Sequence, residues 1–156
     1  MNKELVKEYQ TRIVNASRKE LLVINCEMLM TEIEEAIEGL EVENTLRFEK
    51  AMHMAQKLLR ELSDGLNFEY EISKELMALY IYMNKLFVDA QIRDRQEPLR
   101  EAMKIVRILL DGWKQADVED EGPVIGNGQK VYAGLTYGKS NLNESVDSEP
   151  NRGYKA

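Results

Sequence analysis

Residues 72–92, Ile-Ser-Lys-Glu-Leu-Met-Ala-Leu-Tyr-Ile-Tyr-Met-Asn-Lys-Leu-Phe-Val-Asp-Ala-Gln-Ile, constrain this chain more than any other stretch. On a helix at about 100° per residue, Ile72, Leu76, Leu79, Tyr80, Met83, Leu86, Phe87 and Ala90 share one broad face, the pattern of a segment packed into a core. A second apolar strip, Met77, Ile81 and Val88, lies roughly 120–160° round from the centre of the first. Lys74, Glu75, Lys85 and Asp89 make up the polar remainder. A helix apolar over most of its circumference has to be covered, either by its own chain or by a partner.

The rest of the chain is long enough to supply a core. With 156 residues it is about one domain in size and needs neither disulfide nor metal to fold. Its one cysteine, Cys26, excludes an internal disulfide, and the charged start Met-Asn-Lys-Glu-Leu-Val-Lys-Glu lacks the apolar core of a secretory signal. The cytoplasm is the expected compartment. No apolar run approaches the ~20 residues of a membrane span, so no membrane insertion is expected. A formal charge of −7 repels phosphate backbones, which removes nucleic acid from the expected partners.

Helical periodicity recurs along residues 1–117. Leu5, Val6, Tyr9 and Ile13 fall together in a short N-terminal helix over 1–14, one that needs docking to be stable. Ser17 and Glu20 have capping-box spacing and predict the start of a long helix, with Leu22, Cys26, Leu29, Ile33, Ala36, Ile37 and Leu40 on one side and an end near Gly39. A second long helix is predicted from Asn44 or Thr45 to Gly65 on the stripe Phe48, Ala51, Met52, Ala55, Leu58, Leu59 and Leu62. The segment 72–92 is the third. Pro98 suits the first turn of a fourth, whose inner face is Leu99, Ala102, Met103, Val106, Leu109, Leu110 and Trp113. Short links favour antiparallel neighbours, so the expected fold is all-α: an antiparallel up-and-down four-helix bundle with a short N-terminal helix. From residue 118 glycines multiply and aliphatics thin out, which marks 118–156 as a Gly-rich, low-complexity C-terminal tail.

Catalytic chemistry has little to work with. The lone His53 cannot build a multi-histidine metal site, Cys26 lies on an inner stripe with no histidine nearby in sequence, and Gly126-Asn-Gly128 neither follows a strand nor opens a helix. No cofactor and no enzymatic activity are expected. Glu34, Glu35, Glu38, Glu61 and Asp64 resemble the acidic motif of all-α magnesium-dependent nucleoside triphosphate pyrophosphohydrolases. Metal-sharing carboxylates must converge, and the helical wheel turns Glu34, Glu38 and Asp64 away from the core stripes; a solvated face is the reading this favours.

A different resemblance is carried by Tyr9-Gln10, Ala16-Ser17, Leu21-Leu22, Ala55-Gln56, Leu66-Asn-Phe-Glu69, the run Ile72 to Asn84 and Trp113. Together these resemble the flagellin-specific flagellar secretion chaperone family over about residues 8–117, most distinctively in Ala-Leu-Tyr-Ile-Tyr-Met-Asn, Ala78 to Asn84. The resemblance implies a stoichiometric binder that holds the disordered C-terminal segment of flagellin, prevents early polymerisation and aids delivery to the flagellar export apparatus. It also implies that the N-terminal segment occupies part of the client surface until displaced. By position, Tyr9, Gln10 and Ile13 are the candidates for that plug. The helical wheel, rather than the family, nominates Met77, Tyr80, Ile81, Asn84 and Val88 as a groove wall.

The chain departs from the family pattern where Arg18 follows the capping serine, where Asn25-Cys-Glu-Met-Leu29 replaces Leu-Tyr-Asp-Gly-Ala, and where Ile81 stands between the two tyrosines. Met28 and Leu29 in place of Gly-Ala fill space beside their helix. A homodimer in a plain helical scaffold is the other use of the apolar strip that the sequence leaves open.

Overall fold

The structure is a computed structural model, and it describes residues 2–14 and 16–116. Ser17 Oγ accepts from the Glu20 main-chain N–H at 3.2 Å while the Glu20 carboxylate accepts from Ser17 N–H at 3.0 Å, so the reciprocal cap read from the sequence is formed. It opens α2, Arg18–Glu41. The preceding α1 spans Lys3–Val14, and α3 (Thr45–Asp64), α4 (Ile72–Arg93) and α5 (Glu97–Gln115) follow. Asn44 caps α3 by accepting from Arg47 N–H, and Pro98 sits in the first turn of α5, where its missing donor costs nothing.

The four long helices form a closed ring: α2 packs on α3, α3 on α4, α4 on α5, and α5 returns to α2. The α2–α3 pair is antiparallel, since Arg47 near the start of α3 reaches Glu35 and Glu38 late in α2, while Asn25 early in α2 reaches the Leu58 carbonyl. The core runs down the middle of the ring and includes Leu29, Ile33, Met52, Tyr80, Phe87, Leu99 and Val106, all fully buried or nearly so. The all-α bundle with a short N-terminal helix is thus observed. The tail and its expected boundary at 117/118 lie outside the described residues.

Two sequence expectations need correction. Gly39 does not end its helix; α2 continues to Glu41, and the turn that follows passes through Glu43 at φ 55°. Gly39 serves packing instead: a Cβ there would lie 2.8 Å from Phe48 N, so only glycine lets the two backbones approach this closely. Second, Glu61 was expected on a solvated face and is buried in α3.

Candidate functional site

α4 and α2 share an unusual property: both are apolar around much of their circumference. On α2 the second face is covered by the chain itself. Ile24 and Met28 lie between the core-facing stripe and Glu27 and Thr31, and both are buried. α1 packs there. Arg12 Nη1 bonds Glu27 Oε1 at 2.8 Å, the Tyr9 hydroxyl is hydrogen-bonded with Thr31, and Arg12 lies 5.5 Å from the Tyr9 ring centroid. Tyr9 and Ile13 are buried and Gln10 is partly so. Burial raises the Tyr9 phenol above its usual value, against the opposing pull of the Thr31 bond.

On α4 the corresponding cover is absent among the described residues. Ile81 is 52% exposed and Val88 38%, with Asn84 exposed between them and Met77 half-buried one turn before Ile81. Ile92, one turn beyond Val88, is also exposed and prolongs the strip; its i+4 spacing from Val88 was the available signal, and the sequence reading passed over it. Gln91 stands seven residues from Asn84 on this same flank and accepts from Gln56 of α3 at 3.1 Å. The strip therefore lies on the outer face of α4, between the edge that Gln91 turns to α3 and the edge that Tyr82 turns to α5. Tyr82 belongs to the opposite flank, where it donates to Glu101 of α5; that bond raises the Tyr82 phenol.

Tyr80, nominated for the groove wall, is 2% exposed and belongs to the core. Its position shares the Leu76, Met83 and Phe87 face, so it offers a client no surface. Burial pushes its phenol above the usual tyrosine value. The structure also separates the N-terminal residues from the α4 strip: Tyr9 and Ile13 dock on α2, and what α1 shields is the α2 flank.

A groove of about 600 Å³ runs between α2 and α5. One wall is acidic, with Glu34, Glu38 and Glu41, and the other basic, with Arg100, Lys104 and Arg107; Ile37, Val42 and Met103 form an apolar floor. Arg100 already meets Glu41 at 3.4 Å. The acidic constellation of the sequence is scattered by the fold. Glu35 takes two bonds from Arg47, at 2.7 and 3.0 Å, and Glu38 a third contact at 3.1 Å, while Glu61 is buried and Asp64 exposed. Among the described residues no group of three or more His, Cys, Asp or Glu is placed to hold a metal ion. Cys26 is enclosed in the core and burial pushes its thiol up to about 12, which leaves it protonated and unreactive at neutral pH.

The family described as Flagellar protein FliS matches residues 1–120. The chain belongs to the FliS family. A flagellar secretion chaperone FliS from Bacillus subtilis (strain 168) is 31% identical over 109 residues, which covers 69% of this chain and 82% of that relative. FliS is a flagellar secretion chaperone family rather than an enzyme family. None of its described helices is long and apolar enough to cross a membrane. Met28 and Leu29 are both buried, Leu29 in the ring core and Met28 toward the flank that α1 covers.

Proposed function

We propose that this FliS chain binds the disordered C-terminal segment of a flagellin in the cytoplasm, keeps it from assembling early, and passes it to the flagellar export apparatus. The observation that carries this reading is the α4 strip: Met77, Ile81, Val88 and Ile92 recur at helical spacing on a surface beside the core, and no described element covers them. A client that folds into a helix on this flank presents its own i, i+3, i+4 and i+7 anchors to it. Each anchor of Leu or Ile size contributes about 1.5–3 kcal/mol, and several together offset the entropy of ordering the client. Met77, Ile81, Asn84 and Val88 are the contact residues. Tyr9, Gln10 and Ile13 hold a second apolar surface on α2, which α1 would vacate if the client extends there.

Titration calorimetry and circular dichroism with a flagellin C-terminal peptide test this reading. Binding with a negative heat-capacity change and a gain in helix supports it, as does weakening by Ile81→Asp with an unchanged unfolding midpoint. No binding by the full chain overturns it. Sedimentation showing a dimer through α4, abolished by Ile81→Asp, would assign the strip to a second copy.

A further inference from the structure

The groove between α2 and α5 has ordered walls. Arg100, in the first turn of α5, meets Glu41 at the end of α2 at 3.4 Å, and both helices line the groove back from that point, so they run antiparallel. Glu38 then stands across from Lys104 and Glu34 across from Arg107. Beyond the Arg100–Glu41 contact the walls stay apart. Glu38 is turned to Arg47 at 3.1 Å, and Glu34, Lys104 and Arg107 have no ion pair among the described residues. Between the walls Met103 is buried and Ile37 half-buried, beneath a space of about 600 Å³.

We propose that this groove docks an amphipathic helix of a second protein partner, one with an apolar ridge between a basic flank and an acidic flank, independently of the α4 strip. The walls dictate that chemistry. Cations of the occupant go to Glu34 and Glu38 and its carboxylates to Lys104 and Arg107, while its ridge covers Ile37 and Met103. The walls also dictate a helix. Glu34, Glu38 and Glu41 on one side, and Arg100, Lys104 and Arg107 on the other, succeed one another at i, i+4 and i+7, about one per 5.4 Å turn. Another helix repeats at that pitch, whereas an extended strand returns to the same side every 6–7 Å or so. Nucleic acid or an anionic membrane suits only the basic wall and is repelled by the acidic one. A second copy fits less well, because a two-fold pairing brings a groove to a groove and leaves Ile37 and Met103 uncovered. α4 stands across the ring from α2, so the site is separate from the proposed client strip.

NMR titration of the isotope-labelled full chain with synthetic helices of about four turns tests it. Three probes share a leucine ridge and differ in their flanks: one basic and one acidic, both basic, or both acidic. The two-sign helix is expected to bind about tenfold or more tightly than either of the others, with shifts at Ile37, Val42 and Met103. Lys104→Glu combined with Arg107→Glu, both at exposed positions, makes both walls acidic. It should pass the preference to the all-basic helix while the melting temperature stays near the parent's. Equal affinities for the three helices, an unchanged preference in the double variant, or shifts at Ile81 and Val88 in place of the groove would each overturn the proposal. So would a concentration-dependent dimer that the two-sign helix dissociates, which assigns the groove to a second copy. Displacement of the two-sign helix by the flagellin C-terminal peptide would assign the groove to the client instead, whereas flagellin bound alongside it supports separate sites.

Discussion

A Cβ on Gly39 would stand 2.8 Å from the main-chain nitrogen of Phe48 and 3.0 Å from its Cα, so the ends of α2 and α3 are closer than any other residue allows. Gly39→Ala should therefore destabilise the bundle by about 2–4 kcal/mol, although alanine is the better helix former by about 1 kcal/mol. Chemical denaturation checks it. Gly65→Ala is the control: at φ −84° with its nearest neighbour at 3.4 Å, it should stay within about 0.5 kcal/mol of the parent.

Adjacent residues Tyr80 and Ile81 should separate folding from client binding. Tyr80→Ala removes a core ring and should cost about 3–5 kcal/mol. Ile81→Asp changes a half-exposed position and should shift stability by no more than about 0.5 kcal/mol. Its effect belongs in the affinity for the flagellin peptide, expected to fall about tenfold or more with the loss of one anchor.

Glu35 provides a pH signature. Its hydrogen bonds from Arg47 hold the carboxyl below the usual carboxylate value, so the ionised form is favoured by folding. The pair's contribution is complete above the unfolded-state value, near the usual carboxylate range, and fades as pH falls through the lowered folded value. Both side chains are about one-third exposed, so solvent screens the pair and keeps its contribution small. Glu35→Gln should lower the neutral-pH melting temperature by a few degrees, less in high salt, and the difference from the parent should vanish in acid.

Cys26 should report global opening. Enclosed and with its thiol pushed up to about 12, it should resist alkylation at pH 8 in the native protein and react at the free-thiol rate once denatured. The labelling rate under native conditions then measures unfolding.

The positions of the long helices were legible because each carries a strong local signal: the Ser17–Glu20 cap, Asn44, the apolar stripe of α4, and Pro98. The exposed flank at Met77, Ile81 and Val88 was legible for the same reason, since a second strip on one wheel needs no knowledge of neighbours. Relations between elements were less so. Glycine commonly terminates helices, and nothing local distinguishes Gly39, whose role depends on Phe48 nine residues later. Glu61 looks solvated on its own wheel and is enclosed only by the assembled bundle. The docking of Tyr9 and Ile13 on α2 rests on Glu27 and Thr31, partners in another helix. Tyr80 was assigned to both the core face and the groove wall, and packing admits only the first.

The ring of helices closes between its first and last long members, α2 and α5. A nascent chain leaving the ribosome therefore carries three amphipathic rods with one side of the barrel open until the residues around Trp113 emerge. Frameshifts or stop codons anywhere before α5 would release fragments without a finished interior, prey for proteolysis rather than partly working products.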